Sequence, residues 1–363
     1  MKINKLISAF SLGVLAVAFT SCRNADKSFP DYDGGTTAYF AYQYPIRTLI
    51  LGNVETYDNT SDNEWRFTIY GTCGGSYSGL NAKIDVKIDE SLTEGLYFED
   101  GTKVKPMPKE YYTRSGDVLD YAGGFRGGIE FQLNEKFFND TLSIANNYVI
   151  PVIMSETFSG VDRIVRGTPA TKGTSPSRHD IEKWDVTPGD FTLFCVKYIN
   201  EYTATYLRRG VDIFDQLQYA DSVPTGYAQV TANRHGKFIE NDEVVSTKTM
   251  ARNKILLPIA TTEINGKNSP CELILTFDAS GNCTIESNTQ GCTASGTGRY
   301  SKGTAIKAWG DKDRDELFLD YTLDFEDAVN NKTVHYATKD TLVWRDRGTV
   351  AGIQTYKPIY IEE

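Results

Sequence analysis

The sequence predicts an all-β protein, a β-sandwich followed by an antiparallel barrel. Three observations carry this expectation: apolar residues recur at every second position in many short segments, glycine-rich turns separate those segments, and no long stretch has the 3.6-residue period of an amphipathic helix. In Trp65-Arg66-Phe67-Thr68-Ile69-Tyr70 and in Ala82-Lys83-Ile84-Asp85-Val86-Lys87-Ile88-Asp89 the alternation marks strands with one buried face. Gly71, Gly74-Gly75 and Gly79 supply the turns between them. Gly128-Ile129-Glu130-Phe131-Gln132-Leu133 and Tyr148-Val149-Ile150-Pro151-Val152-Ile153-Met154 add two more strands, and the interval 134–145 has room for one helical turn. Short strands at this density across residues 36–166 argue a sandwich.

Residues 167–190 are rich in Gly, Pro, Ser and Thr and read as a linker. The second unit is expected over 191–363, with strands at 191–198, 203–208, 254–259, 271–277 and 317–323. Turn tetrads such as Asp278-Ala279-Ser280-Gly281 join them as hairpins, and consecutive hairpins suggest a meander that curls into a barrel. The likeness of Arg208-Arg209-Gly210 to Arg345-Asp346-Arg347-Gly348 places the first and last barrel strands side by side.

Ahead of the folded part, residues 1–21 have the layout of an export signal: Lys2 and Lys5, an apolar run over 6–19, then Thr20-Ser21 before Cys22. The run is shorter than the ~20 residues that span a bilayer. Cleavage before Cys22 with lipid attachment there is the expectation, and an ordinary signal or an uncleaved anchor is the alternative. Residues 22–35, with Pro30 and Gly34-Gly35, form a flexible tether. The lipid would tether the protein to a membrane.

Once the leader is removed, 36 basic residues face 48 acidic ones, a net charge of −12. Nucleic acid is disfavoured as a partner, because phosphate neutralisation needs a basic surface. Five cysteines remain besides Cys22, an odd number, and a Cys283–Cys292 or Cys271–Cys283 bridge is open to an exported chain. Their spacing is not that of a zinc site and only His179, His235 and His335 add imidazoles, so no metal or other cofactor is expected.

Several segments carry a family resemblance. They are Pro106-Met107-Pro108-Lys109-Glu110-Tyr111-Tyr112-Thr113, Phe137-Phe138-Asn139-Asp140, Asn147-Tyr148-Val149-Ile150-Pro151-Val152-Ile153, Lys197-Tyr198-Ile199-Asn200, Tyr206-Leu207-Arg208-Arg209-Gly210 and Thr341-Leu342-Val343-Trp344-Arg345-Asp346-Arg347-Gly348. With them the chain resembles lipoproteins from polysaccharide-utilisation loci of Bacteroidetes, whose N-terminal domain also precedes the catalytic barrel of some family 18 endoglycosidases. The resemblance implies an immunoglobulin-like sandwich followed by a lipocalin-like or calycin-like barrel. It also implies placement at the outer membrane, at the cell surface or facing the periplasm, and a role in glycan capture beside a TonB-dependent importer and companion surface lipoproteins. A departure is Arg23-Asn24-Ala25-Asp26, where many surface-exported relatives carry a run of acids.

Catalysis finds little support. Family 18 chemistry needs closely spaced acids ending in a proton-donating Glu, whereas Asp212 and Asp215 have the wrong spacing, Gln216 follows them, and the segment reads as a loop after a strand. The histidines sit in ordinary contexts, and Ala122-Gly123-Gly124-Phe125-Arg126-Gly127-Gly128 has no following helix to cradle a phosphate. The protein is therefore expected not to be an enzyme. For sugar binding, aromatic faces flanked by hydrogen-bonding side chains are needed. Trp184 in the linker and Trp309 in a charged loop are the leading candidates, with Tyr111 and Tyr112 as further ones; the alternative is that Trp184 plugs the seam between the domains. Trp65 and Trp344 alternate with polar neighbours and are assigned to the core. A structural or adhesive role with a protein partner is the alternative function.

Overall fold

The computed structural model describes residues 29–264, 267–327, 332–348 and 352–362. Cys22, the leader and most of the tether lie outside them. The protein is all-β, and its first part consists of two sheets packed face to face. In Arg66–Gly74 the predicted alternation buries Phe67 and Ile69 and leaves Tyr70 in solvent. That strand is central in a five-stranded sheet with Arg163–Ile164, Thr37–Tyr39, Arg126–Leu133 and Tyr112–Arg114. The facing sheet is built around Tyr148–Ser159, paired with Lys83–Ile88 on one side and Phe191–Ile199 on the other. Phe67 stacks on Phe131 of its own sheet and on Phe194 of the other, at ring separations of 5.6 and 5.4 Å. The inter-sheet core thus closes through three near-parallel rings.

Phe191–Ile199 corrects the sequence reading, which made it the first strand of the second unit. It runs parallel to Pro45–Ile50 and antiparallel to Tyr148–Ser159, inside the sandwich. Both its faces are covered: Phe194, Val196 and Tyr198 enter the inter-sheet core, while Phe191, Leu193 and Cys195 pack with Leu96, Phe98 and Val104 under the C-terminal tyrosines Tyr356 and Tyr360. A strand buried on both faces reads as a near-continuous apolar run, and Phe-Thr-Leu-Phe-Cys-Val is one, with Thr192 its single polar residue. The linker is likewise structured. Trp184–Val186 pairs with Thr168–Pro169, and Asp190, fully buried, is held by Arg166 and Arg178. The interval 134–145 folds as a helix over Glu135–Asn139 and a 3-10 turn over Thr141–Ile144.

The strands between Thr205 and Asp346 form one ten-stranded antiparallel sheet, with Val223–Arg234 at one edge. From Thr205–Ala220 it runs through Lys332–Asp346, Lys312–Asp327, Cys292–Trp309, Asn282–Ser287, Lys267–Phe277 and Lys254–Ile264 to Lys248–Ala251. Glu243–Ser246, separated from Lys248–Ala251 by Thr247 alone, pairs back onto Thr205–Arg208, so the sheet curls until its ends meet. The first and last long strands lie side by side as expected, with Tyr206 opposite Trp344. The enclosed face is packed with Tyr206, Leu257, Leu273, Leu275, Leu317 and Leu342.

An ion network shares that face. Asp212, read from sequence as a loop residue, sits mid-strand in Thr205–Ala220 and is buried. It binds Arg234 and accepts the Thr338 hydroxyl at 2.8 Å. Arg208 and Arg234 both bind Asp340, which also accepts the Tyr321 hydroxyl at 2.8 Å. The chain tolerates these buried charges because each carboxylate meets a guanidinium and a hydroxyl.

The strand register rules out both cysteine bridges considered from sequence. Cys283 lies opposite Phe277 and Gly298. Cys271 and Cys292 are each distant from it by the length of strand from 271 to 277 or from 292 to 298, roughly 20 Å at about 3.3 Å per residue.

Candidate functional site

The joint between sandwich and barrel is the segment after Ile199. Asn200, buried, donates its amide to the Ala251 and Lys254 carbonyls at 2.8 and 3.0 Å, and its Oδ1 accepts from the Tyr202 amide and the Thr203 hydroxyl. Arg347 crosses the same joint. Its Nη1 donates to the carbonyls of Asn200, Glu201 and Thr203, and its Nη2 to that of Leu51 at 3.0 Å. Around these ties lies a cleft of about 770 Å³ lined from both units.

The sandwich wall begins at the helix Thr60–Asn63, which buried Asp62 fixes by accepting the Ile50 amide and pairing with Arg47. Trp65 follows with φ of +60°, a conformation that costs a bulky residue roughly 1–2 kcal/mol. Trp65 stands at the margin of the core that holds Phe67 and Ile69, half-buried against it. Its half-buried indole leans on Phe138 at 4.8 Å and carries the Arg252 guanidinium over its ring at 4.9 Å. Trp65 thus packs against the core, in part as predicted, and also lines the cleft, while Trp344 is buried as expected. Arg252 is held from the other side by Glu135 at 2.5 Å.

On the barrel wall, Tyr202 stacks on Phe277 at 3.8 Å and meets the edge of Tyr300. Burial, reinforced by the neighbouring Glu201 charge, pushes its phenol up to about 12. Glu201 pairs with Lys302 at 2.6 Å. The hydrogen bonds Asp278 receives from Asn282 and the turn amides hold its carboxyl below the usual range. Asn53, Asn63, Asn139 and Asn253 complete the lining. Asn63 and Asn253 bond to backbone, while the side chains of Asn53 and Asn139 have no partner among the described residues. The site combines aromatic surface, two uncommitted amides and charges of both signs.

None of the four aromatic residues proposed from sequence lines this cleft. Trp184 packs over Gly167 and donates its indole N–H to the Ser177 carbonyl at 2.9 Å, closing its own linker turn. Trp309 is half-buried in a hairpin that docks on the sandwich: its carbonyl accepts from Arg314, and Arg314 and Lys312 both pair with Glu55. Tyr111 donates to Asp140 at 2.9 Å, and buried Tyr112 packs on Phe131. Cys22 lies outside the described residues. Among the described residues no cluster of three or more His, Cys, Asp or Glu side chains is arranged to hold a metal, and no helix is long and apolar enough to cross a membrane.

Comparison with known proteins places this two-part architecture. Residues 201–348 match a domain of unknown function, DUF5627, and residues 32–159 match a family model of an N-terminal domain. The crystal structure of a protein of unknown function from Bacteroides ovatus is 36% identical, superposes with a TM-score of 0.80, and aligns over 91% of this chain and 100% of its own. The chain belongs to the family of that protein. Two structures of lower similarity are a multidomain protein including DUF1735 from Bacteroides ovatus and an auxiliary nutrient binding protein from Bacteroides thetaiotaomicron. The first is 11% identical with a TM-score of 0.39, covering 85% of this chain and 94% of that one; the second is 12% identical with a TM-score of 0.31, covering 82% and 90%. No curated protein matches the chain.

Proposed function

We propose that the protein is a non-catalytic glycan-binding lipoprotein of a nutrient-uptake system. In this reading Cys22 carries the lipid at the outer membrane, and the cleft between sandwich and barrel holds an oligosaccharide for a TonB-dependent importer. The observation that carries it is the lining of the cleft. Sites for apolar ligands are walled mainly by hydrocarbon, whereas this one offers two unpaired amides and the cations Arg252 and Lys302 together with the aromatic side chains Trp65 and Tyr202, a mixture suited to hydroxyls interspersed with C–H patches. The sandwich fits an immunoglobulin-like unit and the curled sheet a lipocalin-like or calycin-like barrel. Because Tyr206, Leu273 and Leu317 fill the interior of that barrel, the seam is the better place for a ligand. Glu201, Glu135 and Asp278 are tied to Lys302, Arg252 and a turn, which disfavours a proton donor for glycoside hydrolysis.

Affinity electrophoresis and a glycan array test this with residues 23–363 against host N-glycans, mucin glycans, mannans and plant polysaccharides. Specific retention that falls in an Asn53→Ala/Asn139→Ala variant supports both class and site. Retention lost only in Trp184→Ala or Trp309→Ala would move the site, and retention of nothing by folded protein would refute the class. A second reading, binding of a protein partner such as the importer or a companion lipoprotein, is favoured by the hairpin of Thr205–Ala220 and Val223–Arg234. Its outer strand stands at the sheet edge, with Tyr219 and Val223 exposed near its tip.

A further inference from the structure

Cys271 and Cys292 face each other on the enclosed side of the ten-stranded sheet, their sulfurs 3.0 Å apart and their residues 1% and 5% exposed. They are 21 positions apart, one at the start of the apolar row Cys271, Leu273, Leu275 and Phe277, the other opening the long strand Cys292–Trp309. Between their strands lies Asn282–Ser287, which ends short of both, so nothing separates the two side chains. Bond formation asks for an approach of about 1 Å, from contact to the ~2.05 Å of a disulfide.

We propose that Cys271 and Cys292 are a disulfide site, oxidised as the exported chain folds, and that Cys73, Cys195 and Cys283 remain thiols. The oxidising compartment rests on the export reading above; the geometry of the pair does not. Cys73 and Cys195 lie in the sandwich, on Arg66–Gly74 and Phe191–Ile199, and Cys283 lies over Gly298. Burial pushes the Cys195 and Cys283 thiols up to about 12. In the folded pair the hydrogen bond from Cys292 instead draws Cys271 below the ordinary thiol range, against the effect of burial, and raises Cys292 in return. Before the sheet closes either thiol can supply the attacking thiolate, and with Cys271 first the exchange runs by two displacements.

The co-reactant is a disulfide carrier, either an oxidoreductase or a small disulfide. The Cys271 thiolate attacks one carrier sulfur and expels the other as thiolate. Cys292 then loses its proton, attacks the Cys271 sulfur of the mixed disulfide and releases the second carrier thiolate. Two protein thiols lose two protons and two electrons, and the carrier disulfide gains both electrons. Because the folded sheet buries both sulfurs, exchange takes place before the turn between Ser287 and Cys292 closes over them.

The test refolds the full chain in a glutathione buffer containing the oxidised form, denatures it with excess alkylating agent and no reductant, and maps the peptides by mass. The expected result is a Cys271–Cys292 linked peptide, lighter by two hydrogen atoms than its parts, with Cys73, Cys195 and Cys283 alkylated. Alkylated Cys271 and Cys292, or a linked peptide containing Cys283, would overturn the inference whether or not the chain is exported. A Cys292→Ser chain treated in the same way should leave Cys271 alkylated.

Discussion

Arg347 is the test of whether the seam is a joint or a mere contact. At 7% exposure its guanidinium gives one nitrogen to three carbonyls of the joint, those of Asn200, Glu201 and Thr203, at 3.2, 2.8 and 2.8 Å. The other nitrogen reaches the Leu51 carbonyl of the sandwich. Arg347→Met keeps most of the hydrocarbon volume and removes every donor. Hydrogen bonds from a charged donor contribute about 1.5–3 kcal/mol each, but they share one group and do not add. Losing the buried charge also refunds part of its desolvation, the more so because Nε has no partner among the described residues. The net expectation is a loss of roughly 2–4 kcal/mol, set by the carbonyls left without a donor at about 1–3 kcal/mol each and by their sharing of one group. Urea unfolding followed by tryptophan emission measures it, with Arg347→Lys as the companion. A single ammonium cannot span carbonyls on both sides of the joint, so Lys should recover only part of the loss. A change below about 1 kcal/mol in Arg347→Met, or full recovery in Arg347→Lys, would refute the assignment of Arg347 as the tie between the units.

Three further outcomes follow from the same geometry. Burial lowers His179 from 6.5 to about 4 where it packs on Phe191 and meets the Tyr44 hydroxyl at 2.9 Å, so the unfolded chain takes up its proton first. Its contribution is whole above about pH 6.5 and falls away as the pH drops toward 4, by roughly 2–3 kcal/mol after allowing for partial exposure; urea midpoints across that range should flatten in His179→Gln. A Cβ at Gly210 would lie 2.2 Å from Asp340 Oδ1 and 2.4 Å from the Lys339 carbonyl, so Gly210→Ala should cost about 2–4 kcal/mol in thermal unfolding, against a change within about 0.5 kcal/mol for Gly116→Ala in open space. On the proposed function, Asn53→Ala/Asn139→Ala should weaken glycan binding at least about tenfold in calorimetric titration, with no fall in melting temperature, since neither amide supports the fold.

Where one face of a strand meets solvent, the sequence was readable. Arg66–Gly74 and Lys83–Ile88 alternate because half their side chains face water. Phe191–Ile199 was placed in the wrong unit because of the glycine- and proline-rich stretch before it. Its apolar run, interrupted only by Thr192, was nonetheless the mark of a strand covered on both faces. The returns of Ile353–Thr355 onto Pro45–Arg47 and of Ile359–Tyr360 onto Leu96–Tyr97 bring distant parts of the chain together and leave no local pattern. Trp65, in phase with Phe67 and Ile69, reads as core and does pack against it, but its place at the rim of the cleft depends on Arg252 and Phe138, far away in the chain. Asn200 and Arg347 were visible as parts of family-like segments. What they do depends on carbonyls far away in the chain, and sequence spacing does not report that.

The cleft and the joint are made of alternating residues in the same short segments. The carbonyl of Leu51 is tied by Arg347 while Asn53 lines the cleft; Asn200 holds the barrel turn while Glu201 and Tyr202 face the cleft; Asn253 braces Phe277 beside Arg252. A molecule bound between Asn53 and Asn139 on one wall and Tyr202 and Lys302 on the other adds contacts across the seam that the unfolded chain does not have. It should therefore raise unfolding stability by about 2.7 kcal/mol at a hundred times its dissociation constant. Loosening the joint acts in the opposite direction: Arg347→Met should weaken binding without touching the ligand, because the two walls would no longer be held at one spacing. A variant that loses stability yet binds with unchanged affinity would place the ligand on one unit alone.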